Sequence, residues 1–248
     1  MRYILILSII IIMVAETNAQ SSRYRNKVSI AFIATGSVAF KSEMSFKDFD
    51  IIFNQNAGGG IMANIEIQKH LTLRTGLRYG VKAYKIYRTP SFYGDYAYFD
   101  DYFTSNELAY NTRSMDLDLG IGYKWGYKRL ELVPFASLTY QFYQKSASDS
   151  FGVKEVGTNN TRTYNNTLSG YHNSIGATIG CDGYFYFNRH SGLFFNGGFL
   201  FGGTNLKYSS DITDLLYEPS SKVIDFKMNQ NGYFGSVGLF FAFGQSKM

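Results

Sequence analysis

The feature that most constrains this chain is a two-residue alternation of apolar and polar side chains that recurs in eight segments. Successive side chains of a β-strand point to opposite faces of a sheet, so a sustained alternation of this kind predicts strands. With 25 glycines, 3 prolines and 43 Tyr and Phe residues, the composition also favours strands over helices. The chain is therefore predicted to be all-β, with strands over residues 28–38, 59–68, 71–82, 115–123, 130–142, 174–187, 193–204 and 233–243.

The charged residues of these segments all fall on one face. The apolar face has no Asp, Glu, Lys or Arg, whereas the opposite face carries Glu66, Arg74, Arg78, Lys82, Asp116, Asp118, Glu131 and Asp182. A closed barrel of eight strands has an interior just wide enough for side chains, so a lumen full of Phe, Leu, Ile and Tyr would be overpacked. The opposite face is rich in Gly, Ser, Thr and Ala and fits that space. The apolar face is therefore predicted to point outward, which requires lipid.

The connections between the segments alternate in length. Those near 69–70, 124–129 and 188–192 are short, whereas 39–57, 86–112, 144–172 and 208–230 are long and polar or aromatic. Outer-membrane barrels have this asymmetry of periplasmic turns and extracellular loops. Aromatic residues at the short-turn end predict an interfacial girdle: Tyr123, Trp125, Phe185, Phe187, Phe241 and Phe243. We predict an eight-stranded antiparallel transmembrane up-and-down β-barrel, with irregular pairing at Pro134 and a weakened start of the second strand at residues 58–60.

The N-terminus has the organisation of a secretory signal peptide. Arg2 precedes an apolar run from Ile4 to Val14, and small residues at Thr17 and Ala19 predict cleavage after Ala19. The alternative is a membrane anchor, but the run is shorter than the roughly 20 residues that a spanning helix needs. We expect residues 1–19 to be the signal peptide, residues 20–248 to be the barrel domain, and the outer membrane to be the destination.

Composition also excludes several classes of function. The net charge of +5 is modest and there is no long run of Lys or Arg, so nucleic acid is not an expected partner. Cys181 is the only cysteine, which excludes an intramolecular disulfide and a CxxC site. His70, His172 and His190 do not have the spacing of metal ligands, and we expect neither a metal nor a cofactor.

Asp116 and Asp118 lie on the same face of one segment and allow two interpretations. They would form a carboxylate pair for acid–base chemistry, in which one carboxyl group raises the pKa of its neighbour. Alternatively, they pair with Arg74, Arg78 and Lys82 on the adjacent strand, with Glu66 near Arg74. Because unpaired charge is costly in a narrow, poorly hydrated lumen, we favour the second interpretation. The lumen is then predicted to be closed by ion pairs and not an open pore.

Two loop features are weaker candidates. His172 with Ser169 or Ser174 has the residue types of a nucleophile and base, but lies in a loop rich in Ser, Asn and Thr, and we favour an ordinary polar loop. The segment SFYGDYAYFDDYF, residues 91–103, could bind a protein or glycan through its aromatic faces, or pack against neighbouring loops and lipid headgroups. The residues of this possible surface are Tyr93, Tyr96, Tyr98, Phe99, Tyr102 and Phe103.

A family resemblance rests on three features of the sequence: the signal peptide ending at Ala19-Gln20, the repeats LDLGIGYKW and NSIGATIGCDGYFYF, and the closing strand GYFGSVGLFFAFG. Over essentially all of the mature chain, the sequence resembles the small outer-membrane β-barrel proteins of the OmpA/OmpX-like and PorT-like type. The resemblance implies a Gram-negative envelope, contact with outer-membrane lipid and insertion by the barrel-assembly machinery. Such proteins include structural, adhesive and secretion-associated members and a few enzymes.

From these observations we expect a non-enzymatic outer-membrane protein that binds a protein or glycan partner through its extracellular loops. One alternative is a PorT-like subunit of a protein-secretion assembly, and another is an outer-membrane lipid-modifying enzyme. A soluble lipocalin-like carrier is disfavoured, because the face that would surround a ligand is small and charged.

Overall fold

A computed structural model of the chain describes residues 26–46, 49–68, 70–88, 107–154, 161–170, 174–214 and 219–245. Among these residues, no helix is long and apolar enough to cross a membrane. The expected signal peptide lies outside the described residues. The fold is an all-β antiparallel sheet with strands β1 (Asn26–Ser45), β2 (Phe49–Gln68), β3 (Leu71–Arg88), β4 (Glu107–Tyr123), β5 (Trp125–Tyr127), β6 (Leu130–Lys145), β7 (Ala147–Lys154), β8 (Thr161–Gly170), β9 (Ser174–Tyr186), β10 (Ser191–Asp214), β11 (Ser220–Asn229) and β12 (Gly232–Gln245).

The pairings of the sheet return to their starting point. Each neighbouring pair in the series β1, β2, β3, β4, β6, β9, β10 and β12 is antiparallel, and β12 pairs with β1. Each of the predicted alternating segments coincides with one of these strands. Along this circuit every strand has a partner on both sides, so its backbone N–H and C=O groups are satisfied within the sheet.

Among the described residues, three of the crossings are interrupted once: β4 and β5 at Lys124, β6 and β7 at Ser146, and β11 and β12 at residues 230–231. Strand β8 ends at Gly170 and β9 begins at Ser174. The first break confirms the irregular pairing predicted at Pro134. On β6, Phe135 pairs with Gly122 of β4 and Leu132 pairs with Trp125 of β5, so Pro134 lies opposite the break. A proline cannot donate a ladder hydrogen bond, which makes this a suitable position for it.

The prediction that the glycines at residues 58–60 weaken the start of the second strand is wrong, because they lie inside β2 and not at its start. A Cβ at Gly58 would lie 2.1 Å from the carbonyl oxygen of Tyr79, and one at Gly60 would lie 2.2 Å from that of Leu77. Both oxygens belong to β3. The glycines therefore let the backbones of β2 and β3 approach closely.

The apolar face of these strands points away from the lumen, as predicted. Leu119, Leu138 and Ile175 are 55%, 63% and 66% exposed. On β4 the outward apolar run extends from Met115 to Tyr123 and is followed by the exposed polar residues Arg113 and Asn111. A tilted strand of about 9–11 residues crosses a hydrocarbon core, so the run has the length of one crossing.

Beyond this band, the apolar residues change face. On β10, Phe195, Phe199 and Phe201 are exposed, but past Gly202-Gly203 it is Leu206 and Tyr208 on the opposite face that are buried. With residues of β2, β3, β4, β8 and β11 they form a buried cluster that we call the apolar cap: Ile51, Phe53, Tyr84, Ile86, Tyr110, Tyr164, Leu168, Leu206, Tyr208, Phe226 and Met228. The cap lies at the end of the barrel opposite the short turns.

The cap corrects the predicted loop bounds. Segments 39–57, 144–172 and 208–230 were expected to be loops, but β1, β2, β7, β8, β10 and β11 occupy most of them. In the fourth, 86–112, β3 continues to Arg88 and β4 begins at Glu107. The physical reason is that these segments also alternate, with apolar side chains inward and polar ones outward, which suits strands that leave the membrane and enter water.

Replacing Leu206 with Ala should destabilise the cap by about 3 kcal/mol, because it removes fully buried side-chain volume from a packed cluster. The matched control is Lys207→Ala on the outward face of the same strand, which should cost less than about 0.5 kcal/mol. Guanidinium titration of the refolded protein in lipid vesicles, followed by circular dichroism, measures both values. Equal losses for the two variants would contradict the inward packing of Leu206.

Candidate functional site

The charged side chains of the lumen lie in three layers between the short-turn rim and the apolar cap. Strand β3 contributes three cations to these layers. Arg74 lies in the middle layer, and Arg78 and Lys82 lie in the upper layer. Their even spacing places all three on the inward face. Each of these three cations has different partners.

The rim layer is centred on Lys124, at the break between β4 and β5. Its Nζ lies 3.2 Å from a carboxylate oxygen of Glu131 and 3.8 Å from one of Glu66. The Tyr186 hydroxyl donates to the other oxygen of Glu131 at 3.4 Å. Glu66 was expected near Arg74, but its position next to the β2–β3 turn places it at the rim. Lys124 was missed by the prediction, although it continues the inward series of Asp116 and Asp118 beyond Tyr123.

The middle layer joins strands across the lumen. Arg74 pairs with Asp182 of β9 at 3.0 Å, with both side chains almost fully buried. Asp182 also accepts hydrogen bonds from Asn64 at 2.9 Å and Asn196 at 3.3 Å. The guanidinium carbon of Arg74 lies 3.7 Å from the ring centroid of Phe135.

This pairing differs from the predicted contact of Arg74 with Asp116 or Asp118. In the β3–β4 register the residue opposite Arg74 is Gly120, so the neighbouring strand offers no carboxylate there. The guanidinium therefore reaches over the small glycine to β9. The result is a charge-assisted, multiply hydrogen-bonded pair, which is the arrangement that offsets the cost of burying both ions.

The upper layer contains the ion pair that was predicted between adjacent strands. Arg78 of β3 contacts Asp118 of β4, with N–O distances of 2.7 and 2.9 Å. Thr139 donates a further hydrogen bond to Asp118 at 2.5 Å. Lys82 has amide partners: its ammonium group donates to Gln141 and, at 3.1 Å, to Gln230.

Asp116 differs from the other lumenal acids. It lies directly opposite Arg78 in the strand register and is 8% exposed, but it makes no hydrogen bond or ion pair with any described residue, and its Oδ1 is fully buried. It borders a cavity of about 40 Å³ that Lys82, Gln141 and Asn56 also line. That volume suits roughly three water molecules at about 10–15 Å³ each. Asp116 is therefore available to a small hydrogen-bond donor.

Two apolar clusters adjoin the polar layers. The cap lies above them, and a second cluster lies towards the short-turn end: Ala31, Ile33, Met62, Val133, Tyr184, Tyr186, Phe194, Phe240 and Ala242. Within it, the rings of Tyr184 and Tyr186 lie 5.0 and 4.9 Å from that of Phe240 in edge-to-face contacts. The described lumen thus contains ion pairs, amide groups and aromatic rings.

Among the described residues, Asp116 and Asp118 do not assemble the carboxylate pair considered from the sequence. Asp118 is held by Arg78 and has no bond to Asp116, so the two do not form a dyad. The hydroxyl of Ser169 donates to the carbonyl of Lys207 at 3.3 Å, and that of Ser174 lies 3.2 Å from the hydroxyl of Thr204.

Other sequence candidates fall outside the described residues. These are His172 and the possible aromatic binding surface of Tyr93, Tyr96, Tyr98, Phe99, Tyr102 and Phe103. In the part of the chain that the structure describes, no group of His, Cys, Asp and Glu side chains is arranged to hold a metal ion.

Comparison with known proteins identifies the fold. No family model matches the chain, so the resemblance to OmpA/OmpX-like and PorT-like proteins stays a prediction, and no curated protein matches it either. Among solved structures, the outer membrane protein OprG from Pseudomonas aeruginosa is 8% identical with a TM-score of 0.51, over 90% of this chain and 98% of OprG. The fold is therefore that of an outer-membrane β-barrel.

Two further solved structures are similar with lower TM-scores. A major outer membrane protein from Thermus thermophilus is 13% identical with a TM-score of 0.42, over 87% of this chain and 99% of that protein. The outer membrane protease OmpT from Escherichia coli is 10% identical with a TM-score of 0.32, over 92% and 100% of the two chains.

The two aspartates should respond differently to removal of their charge. Asp118→Asn leaves the buried guanidinium of Arg78 without its counter-ion and should lower the free energy of unfolding by about 3 kcal/mol. Asp116→Asn breaks no ion pair at contact distance and removes only the longer-range attraction to Lys82, so its loss should be clearly smaller. Denaturant titration in vesicles, followed by the fluorescence of the single tryptophan, Trp125, compares the two variants. A larger loss for Asp116→Asn would refute the assignment of partners.

Proposed function

We propose that this protein is an integral outer-membrane protein whose eight-stranded transmembrane up-and-down barrel is closed to solutes and supports an extracellular binding structure. In this proposal residues 1–19 are a cleaved signal peptide, the barrel-assembly machinery inserts the mature chain, and the protein has no enzymatic activity. The observation that carries the proposal is the change of the apolar face along β10, from outward at Phe199 to inward at Leu206.

The outward apolar band supports a position in lipid. Large apolar side chains are exposed on every strand of the closed circuit. Exposed apolar area of this extent is not stable in water, because monomeric soluble proteins rarely expose contiguous apolar patches larger than a few hundred Å². Five of the six aromatic residues predicted as the girdle at the short-turn end are exposed and suit the membrane–water interface: Trp125, Phe185, Phe187, Phe241 and Phe243.

The filled lumen supports a role that does not depend on conduction. An aqueous channel needs a continuous polar path wider than a water molecule, as in barrels with many more strands. Here the ion pair of Arg74 with Asp182 spans the lumen, and apolar clusters lie on either side of it. The cavity beside Asp116 has a volume of about 40 Å³, room for roughly three waters, and is small compared with a pore.

The cap supports binding at the outer end. Its outward face is polar and carries, on β8, β10 and β11, the side chains of Thr163, Asn165, Thr167, Lys207, Ser209, Asp211, Asp225 and Lys227. A packed core behind this face makes it a preformed surface, so binding a protein or glycan there costs little ordering entropy. The aromatic segment 91–103 leaves the barrel from the same end, between β3 and β4.

A PorT-like role as a membrane subunit of a protein-secretion assembly is the second candidate. The rigid cap favours it, because a stationary subunit needs a preformed surface for its partner proteins. We do not propose the lipid-modifying enzyme, since the hydroxyls of Ser169 and Ser174 bond to neighbouring strands.

The membrane position can be tested with one charge at two depths. Leu119→Arg places a cation in the middle of the apolar band and should destabilise the folded barrel by about 3 kcal/mol. Asn205→Arg places the same charge on the exposed outward face of β10 above the band and should change little. Membrane fractionation and heat-modifiable gel mobility report folding and insertion of both variants. Recovery of the folded wild-type protein in the soluble fraction would refute the proposal.

The closed lumen predicts negligible single-channel conductance when the purified protein is inserted into planar bilayers. The reason is that ion pairs and rings occupy the path at several levels. Insertion is verified separately by protease protection of the reconstituted protein. Stable openings of large conductance in the wild type would show that the lumen is open and would contradict this part of the proposal.

A further inference from the structure

Two cations face outward at the upper border of the apolar band and lie directly opposite each other. Arg113 of β4 is paired in register with Lys145 of β6, and both side chains are exposed. Like charges in directly opposed positions destabilise a sheet. Within the described ranges, neither side chain makes a hydrogen bond or an ion pair that would offset this repulsion. An anion between them would turn the repulsion into attraction.

The height of this pair in the wall matches that of lipid headgroups. The next outward residue of β4 towards the membrane is Met115, which lies opposite Tyr79 of β3. One step further, Leu117 lies opposite Tyr140 of β6, and both tyrosines are exposed. Outward tyrosines are enriched at the membrane–water interface. Arg113 and Lys145 therefore lie just outside the hydrocarbon region, at the end far from the short turns.

Two other outward lysines at this end of the barrel, Lys207 and Lys227, are placed differently. Lys207 of β10 lies opposite Asp225 of β11, so an acidic side chain is its neighbour in the sheet. Lys227 lies opposite the neutral Asn205. Both are on strands of the cap, farther from the apolar band than the pair on β4 and β6. Among the described residues, the pair of Arg113 and Lys145 thus combines interfacial height with uncompensated positive charge.

We propose that Arg113 and Lys145 bind a phosphate group of an outer-leaflet glycolipid of the lipid A class. A guanidinium donates two parallel hydrogen bonds to a phosphate, and an ammonium group adds a point charge beside it. We commit to a lipid because apolar side chains continue directly below the pair, at Met115, Leu117 and Tyr140, where acyl chains would lie. The inference rests on the proposed function, which sets this end of the barrel in the outer leaflet.

The test compares two lipids on the same protein. The full-length mature barrel, refolded in detergent micelles, is titrated with lipid A and with dephosphorylated lipid A, and bound lipid is counted by native mass spectrometry. The wild type should prefer the phosphorylated form. At about 1 kcal/mol for each basic residue, the double variant R113Q/K145Q should lose on the order of 25-fold in lipid A affinity. The control K27Q removes one exposed charge at the short-turn end of the barrel and should bind as the wild type does.

Each other outcome overturns the site. Equal affinity of the wild type for the two lipids, which requires no variant to fold, would refute phosphate recognition. Unchanged lipid A binding by R113Q/K145Q, or an equal loss in K27Q, would place the contact elsewhere. Displacement of lipid A by millimolar inorganic phosphate would identify free phosphate as the ligand. Heat-modifiable mobility of the same samples tests the barrel separately, so failure of the lipid site is distinguishable from failure of the proposed function.

Discussion

The closed circuit of backbone hydrogen bonds is the constraint from which the rest of this structure follows. Lipid offers no partner to an exposed N–H or C=O group, so a sheet that crosses a membrane must close on itself. Closure around eight strands leaves a narrow interior. The alternation of side chains then sends large apolar groups such as Leu119 and Ile175 outward, and leaves small, polar and charged groups together with one cluster of rings inside. Glycines such as Gly58 and Gly120 let adjacent strands approach closely, because a Cβ there would meet the backbone of the neighbouring strand.

Charges confined in that interior need partners, and the layers satisfy this requirement to different degrees. Asp182 is held by an arginine and two amides, and Asp118 by an arginine and a hydroxyl. Both are therefore structural groups. Asp116 has neither kind of contact with the described residues and borders the cavity near Lys82. Among the described lumenal aspartates, Asp116 is thus the one with room beside it for a small ligand. The sequence suggests it as one of two acids for acid–base chemistry, but it has no catalytic partner among the described residues.

The sequence predicts the strands and faces of the membrane band well, because period-two alternation is a local signal. It predicts one ion pair, Arg78 with Asp118, because those strands are adjacent in sequence and in space. The partner of Arg74 was not predictable, since closure brings β9 across the lumen and the alternation contains no information about distance. The cap was missed for a different reason. Leu206 and Tyr208 also alternate with polar residues, but on the opposite face. The polar residues of the segment after them predict a loop, although the alternation continues.

Apolar side chains point outward where a strand lies in lipid and inward where it lies in water. The residue at which they change face therefore marks the membrane border on each strand. Spin labels on single cysteines at the outward positions of β10, in a Cys181→Ala background, test this most directly. Labels at Leu193, Phe195 and Phe199 should be accessible to oxygen and protected from a water-soluble nickel complex. Labels at Lys207, Ser209 and Asp211 should show the reverse. Uniform accessibility along all six positions would contradict a membrane border at the change of face on β10.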